Sequence, residues 1–309
     1  MTNRWCFPTI GLAVIVAVSP PLFARDVLKR ILTQDKLTAE DRATIEAEVE
    51  QRAYLLADAG ADEQRRQSAR DALIAPIRIP KATKVGLAAY AQACADELSI
   101  LVTSAKLDLA FDATLVLVAL DNPRTADALA LALLSDHGAV RYRAARGIQL
   151  LHKDIAKDRG AVRTVLRALG RAGASEKSEA VLRMLYAAID FNADVPGFKH
   201  ADECAKALNA VFAARIKQLG NGSHDEWKDE IAYGAAAACY AKASPSQQKE
   251  LVRHMAAFLT HHVDRYYDTQ TAGSFRPTLA RLIAAAERSL RAMMRSSNVQ
   301  PPSQRVQKT

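Results

Sequence analysis

The chain has 309 residues, 50% of them apolar and 6% aromatic, with 13 Gly, 11 Pro and a formal net charge of +8. Alanine fills about a fifth of all positions. That apolar content excludes a disordered chain, and so few Gly, Pro and aromatic residues exclude a collagen-like rod and a sandwich or barrel of short strands.

The N-terminal segment 1–24 has the pattern of a secretory signal peptide. Arg4 precedes an uncharged run from Ile10 to Val18, a polar break follows at Ser19-Pro20-Pro21, and cleavage is expected after the small residue Ala24. Nine apolar residues are too few for a membrane anchor, which needs about 20. No second long apolar run is expected downstream, so the mature chain is expected to be exported, periplasmic or secreted, without a membrane span.

Apolar residues then recur at helical spacing, and no segment alternates with period two. The fold class is therefore all-α. Thr38-Ala39-Glu40-Asp41 resembles a capping box and opens a helix to about Asp58, before Gly60. A second helix covers Glu63–Ile74, stopped by Pro76 and Pro80, and a third stripe runs through residues 83–103. Further on, Ser223-His-Asp-Glu226 predicts a capping box for a helix to about Ala241. Ser244-Pro245 opens the next, and a last helix spans about Pro277–Arg295. The expected organisation is an N-terminal helical region at 25–105, repeats at 106–190, C-terminal helical pairs at 191–296 and a disordered tail at 297–309.

The stretch 119–151 divides into two short helices. The first aligns Ala126, Leu129, Ala130, Leu133 and Leu134 on one face, and the second aligns Val140, Ala144, Ile148 and Leu151. A tight turn, Ser135-Asp136-His137-Gly138, forces the two to pack antiparallel and leaves apolar surface that only a neighbouring pair can cover. With Asp121-Asn122-Pro123-Arg124 before the first helix, Leu133-Leu134-Ser135-Asp136 at its end, and Val140-Arg141 and Ala144-Ala145 in the second, this stretch resembles the HEAT-repeat family in its short bacterial form. The next unit, with Val162, Val165, Leu166 and Leu169 facing Val181, Leu182, Leu185 and Ile189, follows the same plan. The resemblance implies an α-solenoid of stacked antiparallel helix pairs, an armadillo-like helical array. It also implies that Asp136 and Arg141 bond to the turns of adjacent repeats.

Charge is unevenly placed. Residues 141–171 hold nine Lys or Arg against Asp154 and Asp158, whereas 35–63 hold nine acids against three bases. Arg159, Arg163 and Arg167 recur every four residues and line one flank of a helix, which makes them the candidate partner-binding residues. An exposed helix flank is often charged without function, so their surroundings decide.

There is no Walker loop, GxGxxG, GxSxG, HExxH or CxxC, and nothing calls for a cofactor or a metal. His254, His261 and Asp264 share a face of one helix, the single cluster suited to metal or acid–base chemistry, while His262 lies on the apolar stripe as a core histidine. Cys94, Cys204 and Cys239 fall on apolar stripes and are expected as buried free thiols, with one bridge and one leftover thiol as the alternative. Trp227 is expected to pin its helix by packing. The expected function is a non-enzymatic scaffold for a protein partner. The alternatives are a binder of anionic polymers through the basic 141–171 face, with nucleic acid the lesser case in an exported chain, and an all-α enzyme with its site near His261.

Overall fold

The computed structural model describes residues 22–58, 62–222 and 225–296, and among these there are helices and turns but no strand. The apolar run 10–18, the Gly60 stop, Ser223 and the tail 297–309 lie outside the described residues. The long helices are α1 (Leu22–Leu32), α2 (Ala39–Asp58), α3 (Glu63–Ile74), α4 (Lys84–Leu98), α5 (Leu107–Ala119), α6 (Ala126–Ala132) and α7 (Gly138–Leu150). The one-turn α8 (His152–Ile155) precedes α9 (Arg159–Ser175) and α10 (Glu179–Ile189). The one-turn α11 (Phe191–Asp194) leads to α12 (Ala201–Gly220), α13 (Glu230–Tyr240), α14 (Pro245–Tyr267) and α15 (Arg276–Ser296).

The starts follow local chemistry. Thr38 and Asp41 exchange hydrogen bonds as a capping box, with Asp in place of the usual Glu: Asp41 N–H donates to Thr38 Oγ1 at 3.1 Å and Thr38 N–H donates to Asp41 Oδ2 at 3.0 Å. Asp121, at φ +46°, turns the chain after α5, and Asn122 caps the 3-10 turn Pro123–Thr125 by accepting from Arg124 N–H at 3.1 Å. Thr83 caps α4 by accepting from Gly86 N–H at 3.1 Å, while its own N–H donates to the Leu32 carbonyl at 2.8 Å. The end of α1 is thereby seated on the start of α4. Gly86 is required there, because a Cβ would stand 2.5 Å from the Leu32 carbonyl oxygen.

Packing orders the helices in two layers. α2, α4, α6, α9, α12 and α14 each contact the next in that series, and α3, α5, α7, α10, α13 and α15 do the same. Across the layers, each helix of the first series packs on its chain successor in the second. Leu117, Leu129, Ile148, Val165, Leu169, Leu185, Leu208, Val211, Phe258 and Leu282 belong to one continuous buried core. Each such side chain stabilises by about 1.5–3 kcal/mol relative to exposure.

The turns are tied to one another. Arg141 donates to the Ser135 carbonyl at 2.8 Å in its own turn and, from two nitrogens, to Glu176 at 2.7 and 3.1 Å in the next. Burial alone would raise the Glu176 carboxyl, but Arg141 and the N–H groups of Ser178 and Lys177 hold it below its usual value. Asp136 does not match the family expectation: it is exposed and makes no bond to a neighbouring turn among the described residues. His137 takes that place, its Nε2 donating to the Ala105 carbonyl at 3.0 Å.

One expectation is corrected on apolar length. Lys84–Thr103 is 20 residues long with a mean hydropathy of 1.3, enough by length and composition to cross a membrane. In the fold its Tyr90, Ala91, Cys94, Leu98 and Val102 are buried in the core, and α4 ends at Leu98, before a 3-10 turn at Leu101–Thr103.

Candidate functional site

α9 is capped by Asp158, whose side chain accepts from Gly160 N–H at 2.7 Å and Ala161 N–H at 3.2 Å. Its apolar face buries Val162, Val165, Leu166 and Leu169, which leaves Arg159, Arg163, Arg167 and Arg171 on the exposed flank. Against that flank lies α12. The two helices approach closely at Gly170, where a Cβ would stand 3.1 Å from the Ala207 Cα. Small residues at the crossing draw the backbones together, and the long side chains on either side become walls.

The result is a cleft of about 380 Å³, floored by Leu166, Gly170, Ala207 and Ala210 and walled by Arg163, Arg167, Arg171, Lys206 and Glu203. Four cations thus face one carboxylate. Glu203 is spent on Arg163 at 3.8 Å and Lys206 at 3.4 Å. Arg167 and Arg171 have no acidic partner among the described residues. A second cleft, of about 560 Å³, lies on the other side of α9 and has Asp96, Asp127, Asp158 and Arg124 in its wall, so the sign of charge reverses across one helix.

Of the three arginines singled out by spacing, Arg163 and Arg167 line the cleft. Arg159, the first residue of α9, is exposed but is not part of the lining. Lys206 and Glu203 come from a helix more than 30 residues away in sequence, and only their spacing of three on α12 hinted at a shared wall. The basic 141–171 stretch does not form one face. α7, with Arg143 and Arg146, belongs to one layer and α9 to the other, and Arg141 is committed to Glu176.

The histidines of α14 do not converge. His254 Nδ1 bonds Asn209 on α12 at 3.0 Å, His261 Nε2 meets Glu226 at 3.3 Å, and His262 Nε2 shares a 2.6 Å bond with the Tyr233 hydroxyl on α13. Asp264 is exposed. No group of three His, Cys, Asp or Glu among the described residues could hold a metal ion. Burial, with His261 beside it, pushes the His262 imidazole down to about 4, so it is a neutral core histidine near neutral pH.

The Ser223 end of the expected Ser223–Glu226 capping box lies outside the described residues. Glu226 opens a 3-10 turn, Glu226–Asp229, and is fully buried against His261 and Arg265 at 3.3 and 3.4 Å. Burial alone would raise its carboxyl; His261 and Arg265 hold it low. Beside it Asp229, also fully buried, accepts from Arg215 Nε and Nη2 at 3.0 and 2.9 Å and from the Tyr186 hydroxyl at 2.7 Å. Burial works against the Arg215 guanidinium, but Asp229 and Asp225 outweigh it and keep the group firmly protonated. These ions anchor α12, α13 and α14 to one another. Trp227 caps the arrangement, donating from Nε1 to Glu179 at 2.9 Å and meeting Phe275 edge to face at 5.8 Å. Cys94, Cys204 and Cys239 are buried and free.

In the α9–α12 cleft, therefore, Arg167 and Arg171 carry charge that no acidic partner among the described residues takes up. No protein-family model matches the chain, and no curated protein matches it.

Proposed function

We propose that the chain is a HEAT-like α-solenoid serving as an exported interaction scaffold without catalysis of its own, and that it grips an acidic segment of a protein partner in the α9–α12 cleft. The observation that carries this reading is the cleft itself: three guanidinium groups and an ammonium around a small-residue floor, with a single carboxylate among them. Guanidinium forks suit carboxylate pairs, and the Leu166 and Ala210 floor suits the apolar stems of a partner segment. The layered order of helix pairs and the Arg141 tie between successive turns support the solenoid reading. The Arg4 start and the Ile10–Val18 run support export. Leu28, Ile31 and Leu32, all buried, lie beyond the expected cleavage after Ala24, so cleavage there would leave these three core residues in the chain.

The test is a pull-down from the exported fraction with the tagged chain beside an Arg163→Glu/Arg167→Glu/Arg171→Glu variant. A protein captured by the native chain, released by salt and lost in the variant, with helicity unchanged by circular dichroism, is the expected result. Equal capture by both forms overturns the cleft as the site. Salt-sensitive retention of polyanions with no protein captured would replace the scaffold by the anionic-polymer reading.

A further inference from the structure

Cys204 lies in the first turn of α12 and Cys239 in the last turn of α13, and these two helices pack on one another. Both thiols are fully buried. Adjacent residues of α11 touch both: Asn192 Nδ2 donates to Cys239 Sγ at 3.4 Å, and the Phe191 backbone bonds Cys204. The two thiol side chains also interact with each other. Cys94 sits three steps away along the first layer, on α4, beside Tyr90. Two buried free thiols on helices that pack together, bracketed by adjacent residues of one short helix, are placed to be joined by a disulfide.

We infer that Cys204 and Cys239 are an oxidation site that closes to an intramolecular disulfide joining α12 to α13, with Cys94 left as a free thiol. Closure needs the sulfurs to approach to about 2.05 Å. The oxidant is an external disulfide such as oxidised glutathione. One protein thiolate attacks it, releasing one equivalent of its thiol and forming a mixed disulfide. The second thiolate then attacks the protein sulfur of that mixed disulfide and releases the second equivalent. Two electrons and two protons pass from the protein thiols to the two released thiols. Burial, together with Cys239, pushes the Cys204 thiol well up, so attack in the folded state is slow and closure belongs to folding or to transient opening of α11 and α13.

The full chain, unfolded and reduced, is refolded in a mixture of oxidised and reduced glutathione, quenched by alkylation and digested with trypsin. The expected product is a single linked pair, the peptide with Cys204 joined to the peptide with Cys239. It should weigh about 2 Da less than the two reduced peptides together, with Cys6 and Cys94 alkylated. A Cys94→Ala variant is expected to give the same pair. Alkylation of Cys204 and Cys239 separately, in a chain that has recovered its helicity, overturns the inference, as does a bridge from either to Cys6 or Cys94. Where helicity is not recovered, the oxidant is added to the native chain in sub-denaturing urea, and the same linked pair is the outcome required.

Discussion

Acid should loosen this protein through His262. The imidazole is fully buried on α14, with Nε2 bonded to the Tyr233 hydroxyl at 2.6 Å and Nδ1 without a partner. Burial disfavours the proton most, His261 beside it adds to that and Glu226 opposes both, so the folded value is about 4 against an ordinary 6.5. The sign follows from the lowered value. Above pH 6.5 neither state carries the proton. As pH falls, the unfolded chain takes it up and the folded chain refuses it until about 4, so stability drains across that window and then levels off. At about 1.4 kcal/mol per pH unit the loss comes to about 3 kcal/mol. Urea unfolding followed by circular dichroism, at steps from pH 7 to pH 4, measures it in the native chain and in His262→Phe. The variant starts less stable but is expected to lose about 3 kcal/mol less over the same range, because the other acid-sensitive groups are common to both. Parallel acid profiles for the two proteins, or an imidazole resonance of His262 that titrates near 6.5, would refute the reasoning.

The buried ions give a second expectation. Asp229→Ala takes the fully buried carboxylate from the Arg215 guanidinium, leaving it Asp225 alone, and should cost about 3 kcal/mol by urea unfolding, while Arg215→Met/Asp229→Leu should recover most of that loss. A single variant within about 1 kcal/mol of native would show that the pair does not anchor these helices. At the other end, Gly86→Ala places a methyl 2.5 Å from the Leu32 carbonyl oxygen and 2.8 Å from its Cα, both backbone atoms that cannot swing aside. The expected effect is release of α1, read as faster tryptic cutting at Lys29 and Arg30 and a loss of about 1–3 kcal/mol. An unchanged cutting rate would mean that α1 is not held there.

Local pattern carried the helices well and the interior ions poorly, for a physical reason. Val162, Val165, Leu166 and Leu169 announce the buried face of α9 because a helix repeats its environment every few residues. Pro76 marks the end of Glu63–Ile74 as a local signal, and the structure adds Asp62 as the cap at its start. Glu226 and Asp229 sit in a segment whose letters suit a solvated helix start, yet both are fully buried. Their partners, Arg215, Tyr186, His261 and Arg265, come from α10, α12 and α14, and no spacing within one helix could bring them to mind. The cleft was half legible in the same way. The arginine row of α9 is a periodicity, but the opposite wall depends on Gly170 meeting Ala207, and two small residues carry no label naming their neighbour. His254 and His261 share a helix face in sequence and bond to different elements, Asn209 on α12 and Glu226 on the 3-10 turn, because other helices pack against each end of that face.

The ties between neighbouring helix pairs have a consequence for how the chain acquires its structure. His137 reaches back 32 residues to Ala105, Arg141 forward 35 to Glu176, His152 forward 36 to Ala188, and Lys228 back 51 to Lys177. Long-range closure is what slows folding, because a large loop must be ordered before any contact rewards it. Here the partner of each tie emerges from the ribosome a few dozen residues later. The growing chain can consolidate behind itself pair by pair, and a pause at any point leaves one apolar face uncovered rather than an open core.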